Sequence, residues 1–198
     1  MSTSTDPGRD PVSIDWRKEV VVTFDLETTG LDPVRHSVVE IACVKFQGGE
    51  PRAFFSLLVK PPHPIPAEVT KIHGIGDQDV EEAPPLPSVL PMLESFVGTH
   101  LLVAHNAPFD LSFLRMEYAR CGRPYPGFRA IDTRLLARSV LPHLGRYSLA
   151  SLTRALDIPL QHHHRALSDA WACGDLFYAL AERSSGEGAL PLDGILVG

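Results

Sequence analysis

The chain has little cysteine, no long apolar run and no surplus of positive charge. Its three cysteines, Cys43, Cys121 and Cys173, are an odd number without metal-type spacing. That argues against a disulfide framework and for reduced, mostly buried thiols in a cytoplasmic protein. No apolar run reaches the roughly 18 residues that cross a bilayer, so no membrane contact is expected. The opening MSTSTDPGRD lacks the apolar core of a secretory leader. Lys and Arg number 18 against 24 Asp and Glu, a net charge of −6. A broad basic footprint for nucleic acid is thereby disfavoured. The charge is uneven, however. Residues 1–100 carry 8 Lys and Arg against 15 Asp and Glu, a net of −7, whereas residues 101–198 carry 10 against 9, a net of +1, and the basic ones there are all Arg. A local Arg-rich surface therefore stays open. What remains is ordinary for a globular protein, 44% hydrophobic and 21% charged over 198 residues, enough for one domain with a sizeable core.

Residues 1–15 are polar with Pro and Gly and read as a flexible arm, and residues 184–198, opening SSGEG, read as a loose tail. The folded domain is therefore expected over 16–183. Within it, EVVVTFDLE and SVVEIACVKF are short, β-branched strands, and QGGE turns the second into AFFSLLVKP as a hairpin. PPHPIPAEVTKIHGI is Pro-rich loop with at most a helical turn near Ala67–Lys71. LPSVLPMLESFVG has helical apolar spacing and a stop at Gly98. The strand HLLVAHN leads into the helix APFDLSFLRMEYARCG, with Pro108 in its first turn and Gly122 after its end. RAIDTRLLARSVLP mixes a short strand with a helix, and YSLASLTRALDIP and SDAWACGDLFYALAER are helices. Strands first, then alternating strand and helix, indicate an α/β mixed sheet flanked by helices.

The stretch TFDLETTG, residues 23–30, sets Asp25 and Glu27 two apart on one strand face. Buried like charges repel and are costly to desolvate. A water-exposed strand end or a bound cation would relieve them, and a cation calls for more acids. VAHNAPFD places Asp110 in a first helical turn, where the helix dipole alone would also favour it. HRALSDA places His164 five residues before Asp169. On one helix that spacing leaves the pair about 140° apart, so Asp169 is assigned to the last helix and His164 to the loop before it. His162–His164 form either a chance cluster or a zinc site, and no Cys or second spaced His pair joins them.

In order and spacing, FDLETTG, AHNAPFD and HRALSDA resemble the three motifs of the DEDDh family of 3′→5′ exonucleases, typified by the proofreading epsilon subunit of bacterial DNA polymerase III. The resemblance spans roughly Val20 to Ala181, and KIHGI at 71–75 resembles a loop near the substrate's terminal nucleotide in that family. It implies a ribonuclease H-like fold with a mixed five-stranded sheet. It implies a two-metal phosphodiester hydrolase using Mg²⁺ or Mn²⁺. Asp25 would bridge the metals, Glu27 and Asp169 would help hold the first, Asp110 the second, and His164 would be the general base. Hard carboxylate oxygens suit such cations, and a near-neutral imidazole suits a base.

Softer candidates for substrate contact are Thr28, Thr29, His73, Asn106 and Phe109. Each has a plainer reading: turn shaping for the threonines, loop packing for His73, a helix cap for Asn106 and core for Phe109. Arg165 is read as a phosphate contact or a solvated cation, and Glu40 as structural. The expected partner is a 3′ end of single-stranded or frayed DNA, with a DNA polymerase as a possible associate. RNA trimming, a non-catalytic binding module and a docking subunit are the alternatives, and a stand-alone or loosely associated nuclease is preferred.

Overall fold

The computed structural model describes residues 13–160, 163–186 and 188–198. Eight strands and six helices occur among them: β1 (Ser13–Ile14), β2 (Val20–Thr28), β3 (Val38–Gln47), β4 (Glu50–Leu58), α1 (Ala67–His73), α2 (Leu86–Val97), β5 (Leu101–Ala104), α3 (Ala107–Arg120), β6 (Ala130–Asp132), α4 (Thr133–Val140), α5 (Leu149–Ala155), α6 (Ala166–Ser185), β7 (Leu190–Pro191) and β8 (Leu196–Val197). The main sheet runs β4-β3-β2-β5-β6-β8. β4, β3 and β2 are antiparallel neighbours, β2, β5 and β6 are parallel, and β8 pairs antiparallel to β6. None of the described helices is long and apolar enough to cross a membrane.

The architecture is the mixed α/β sheet that the sequence indicates, with six strands where the resemblance implies five. The extra strand comes from the segment read as a loose tail. Leu190, Leu192 and Ile195 are buried there against the core under α6, and burial of that apolar surface holds Leu196 opposite Ile131. At the other end Ser13 and Ile14 pair with Pro191 and Leu190. The rest of the arm, residues 1–12, lies outside the described residues.

Strict alternation along β2 and β3 sorts the two faces of the sheet. Val22, Phe24 and Leu26 pack with Ile41 and Cys43 against α2 and α3. Val21 packs on the other face with Ala42, Val44 and Phe46 against α6. Period two then commits Thr23, Asp25, Glu27 and Glu40 to the α6 face. The approach of α6 is set by Gly174, where a methyl group would overlap the buried Phe46 ring. Glycine costs helix propensity at that position but lets α6 lie close enough to present Asp169 to β2.

Candidate active site

β2 supplies Asp25 and Glu27, and α6 and α3 supply Asp169 and Asp110 from their first turns, where a helix N-terminus favours negative charge. One carboxylate oxygen from each of Asp25, Glu27 and Asp169 lies within 4.8 Å of the others. Asp110 stands outside that trio. Its Oδ1 accepts the Leu26 N–H at 3.2 Å, and it is near enough to Asp25 for the two charges to repel. Among the described residues no Lys or Arg pairs with any of the four. Four acids without a Lys or Arg ion pair among the described residues match a hard divalent ion bound through oxygen.

Lost hydration holds Asp25 well above the usual carboxylate range, and Asp110, Asp169 and Glu27 add repulsion. Burial first, then Asp169, pushes Glu27 up to about 8. Burial also pushes Asp110 up to about 8, against the backbone N–H groups that favour its charged form. Folded-state values raised this way give stability that is complete below the unfolded pKa of about 4 and lost as pH climbs to the folded value. In chelator, the thermal midpoint should therefore fall between about pH 4 and about pH 8. A divalent cation binds the deprotonated acids and should reverse that slope. Calorimetry across this range with and without Mn²⁺ reads both arms, and a flat or rising metal-free midpoint would show that the acids are well solvated.

His163 and His164 occupy the loop immediately before α6, and His162 lies outside the described residues. His164 has φ +66, in the left-handed region, and its N–H donates to Asp169 Oδ2 at 3.1 Å. The ring that meets the Asp169 carboxylate is that of His163, with Nδ1 2.9 and 3.0 Å from the two oxygens. The His164 ring stacks on it with centroids 3.8 Å apart. A nitrogen of each ring and one Asp169 oxygen fall within 4.8 Å of one another. Burial, then the neighbouring His163, draws the His164 pKa below its ordinary value, and Asp169 opposes this.

Glu40 has a structural task that the sequence does not reveal. Its carboxylate, 3% exposed, accepts Arg165 Nη2 at 2.9 Å, Arg165 Nε at 3.2 Å and the Ala166 N–H at 3.0 Å. It thus closes the start of α6, whose own N-cap residue makes no side-chain capping bond. Arg165 is held by this fork, which leaves its phosphate-contact reading without direct support. Glu40→Gln removes the charge and the bidentate geometry while all four clustered acids remain. Mn²⁺ affinity should fall about tenfold through misplacement of Asp169, the low end for a group that orients metal ligands. Titration calorimetry with Mn²⁺ checks this, and unchanged affinity would confine Glu40 to stability.

The softer candidates scatter. Thr28 Oγ1 donates to the Gly30 carbonyl at 2.7 Å, and Thr29 Oγ1 accepts the Ser37 N–H at 3.0 Å, so both hydroxyls are engaged within the turn. His73, at the end of α1, is buried; its Nδ1 accepts the Ile75 N–H at 3.0 Å, and burial draws its pKa down against the nearby Thr28 backbone. Asn106 has φ +67 and makes no capping bond, so the helix-cap reading fails. Its left-handed backbone turns the side chain toward Arg134, whose Nη1 donates to Asn106 Oδ1 at 3.2 Å. Phe109 lies tilted against Phe113 with ring centroids 5.0 Å apart and packs on the core. Asp132, unremarked in the sequence, accepts from Asn106, Arg134 and Leu135 backbone N–H groups and so ties the loop after β5 to the start of α4. A D-T pair after a short apolar strand is a capping signal that could have exposed it.

Asp25, Asp169 and His164 line one cavity of about 710 Å³ together with Asn106 and Arg134. It opens where the parallel strands β2, β5 and β6 end, the usual place for ligands in open α/β sheets.

The family model described as Exonuclease, of the RNase T type, matches residues 22–177. DNA polymerase III PolC-type from Lactococcus lactis subsp. lactis is 37% identical over 169 residues, 85% of this chain and 10% of that protein. The chain thus spans about a tenth of the length of such relatives. Exonuclease X, solved with 5′ overhanging duplex DNA, has 30% identity and a TM-score of 0.70, covering 88% of this chain and 96% of that one. The nuclease domain of 3′hExo, a DEDDh family member bound to rAMP, shares the fold at a TM-score of 0.74 and 19% identity, covering 84% and 93%. With three of the motif acids gathered within 4.8 Å and most of its length matched by the family model, the chain belongs to the RNase T-type exonuclease family and carries a DEDDh-type 3′→5′ exonuclease domain.

Proposed function

We propose that the chain removes nucleotides one at a time from DNA 3′ ends, using two divalent cations, Mg²⁺ or Mn²⁺, at the acid cluster. The observation that carries this is the carboxylate trio within 4.8 Å, which no Lys or Arg among the described residues pairs with and two members of which, Asp25 and Asp169, line an open cleft. When bound, two such cations stabilise the attacking and leaving oxygens of a phosphodiester. Asp25 would bridge both, Glu27 and Asp169 would hold one and Asp110 the other. His164 accepts the proton of the water that attacks phosphorus. The bond from phosphorus to the 3′ oxygen of the penultimate nucleotide breaks, that oxygen is protonated from solvent, and a nucleoside 5′-monophosphate leaves. Thr28, Thr29, His73, Asn106 and Phe109 are proposed to border the terminal nucleotide, the threonines through their backbone. The working setting is cytoplasmic, on single-stranded or frayed DNA. The name of the PolC-type relatives supplies a DNA polymerase as the class of associate.

A gel time course on 5′-labelled single-stranded, paired and mismatched DNA, with matched RNA beside them, tests this. A ladder shortening from the 3′ end supports it, and a faster RNA series would transfer the activity to RNA trimming. Mg²⁺ or Mn²⁺ should support turnover and Ca²⁺ little, because its larger, flexible coordination spoils the paired geometry. Full activity in excess chelator would sink the metal assignment.

A further inference from the structure

The cleft has an acidic floor and a basic wall. Arg134, Arg138 and Arg146 line it with Asp25 and Asp169, and among the described residues no other Lys or Arg does. Arg134 and Arg138 are four apart on α4, so they share a face, with Cβ atoms about 5–6 Å apart. Arg146 joins them from the segment between α4 and α5. Arg138 and Arg146 are exposed and make no ion pair among the described residues. Arg138 lies over the Tyr147 ring at 5.6 Å, which fixes its place without neutralising it. Arg134 is half-buried; Nη1 reaches Asn106, while Nε is buried without an acceptor. A chain of net charge −6 thus gathers three unpaired arginines at one opening. A half-buried cation without a partner is costly, and guanidinium forks match phosphate oxygens.

We propose that Arg134, Arg138 and Arg146 hold successive phosphates of the single strand whose 3′ end enters the acid cluster. This rests on the exonuclease reading and deepens it. The acids serve the scissile phosphate, and the arginines serve those 5′ to it. Two arginines one helical turn apart suit neighbouring phosphates of one strand, and among the described residues the lining offers no further Lys or Arg for a second.

Binding of a fluorescent oligothymidylate, measured in Ca²⁺ over a series of salt concentrations, should give a log–log slope of about −2 for three phosphates on a single strand. R138A/R146A should flatten it to about −0.7, while R138K/R146K keeps it. Hydrolysis supplies the second readout. A nitrophenyl ester of thymidine 5′-monophosphate has a phosphodiester and no further phosphate. In R138A/R146A, kcat/KM on the oligonucleotide should drop at least about tenfold more than on the ester, as expected from losing charge-assisted hydrogen bonds. If the parent degrades neither substrate, the exonuclease reading falls and this assignment with it. If the parent degrades both and R138A/R146A keeps slope and ratio, only the arginine assignment is overturned. An unchanged thermal midpoint separates either result from misfolding, and R138A and R146A singly, each removing about 0.7 from the slope, serve should the double variant not fold.

Discussion

Asp25→Asn is expected to reduce turnover to background and to abolish Mn²⁺ binding with it. Asn keeps the shape of the side chain but offers one neutral acceptor oxygen where the carboxylate offers two charged ones. Asp25 feels the charges of Asp110, Asp169 and Glu27 together, so its loss removes a member that stands near all the others. The fall should exceed the ~10²–10⁴-fold that accompanies loss of one general base. A second effect has the opposite sign. In chelator near pH 8 the variant should melt higher than the parent, because a dehydrated, repelled carboxylate has been replaced by a neutral group. Asp169→Asn should match the first effect. It should also loosen the His163–His164 loop, whose ring and backbone bonds end on that carboxylate. Gel assays, Mn²⁺ titration and thermal melts give the three readouts. Near-full activity, or retained metal binding, would remove Asp25 from its assigned place.

His164→Ala should lower the turnover number by about 10²–10⁴-fold, the usual contribution of a positioned base, while Mn²⁺ affinity changes little because all four acids remain. The parent rate should rise with pH through a group whose pKa burial draws below the ordinary imidazole value, and that limb should vanish in the variant. His163→Ala is the informative neighbour, since its ring rests on Asp169 in the structure. If His164 is the base, His163→Ala keeps the rising limb and loses less turnover. Should the limb disappear with His163 instead, the proton acceptor has been assigned one residue too far along the chain.

Much of the site was legible because the chemistry demands charged residues where folding alone would avoid them. Asp25 and Glu27 inside a β-branched strand are costly, and the alternation that buries Val22 and Phe24 on one face commits them to the other. The five-residue step from His164 to Asp169 cannot lie on one helix face, and the structure duly starts α6 at Ala166. The remainder depended on distance or on backbone form. Glu40 meets Arg165 across 125 positions, which no local pattern announces. Asn106 has the side chain of a cap but the backbone of a left-handed turn. Leu196–Val197 is a two-residue strand, too short for any periodicity and held only because the neighbouring apolar residues are buried. The ring that meets Asp169 is that of His163, next to a left-handed φ at His164, and residue type carries no trace of either.

The pairing of β1 with β7 has a mechanical consequence. Ser13 lies opposite Pro191 and Ile14 opposite Leu190, so two segments far apart in the chain run side by side in opposite directions. Beyond that clasp the chain returns to the main sheet, where Leu196 pairs with Ile131 at its edge. A pull on the segment before β1 would therefore peel two residue pairs first, whereas a pull on the segment after β8 would load the edge of the six-stranded sheet directly.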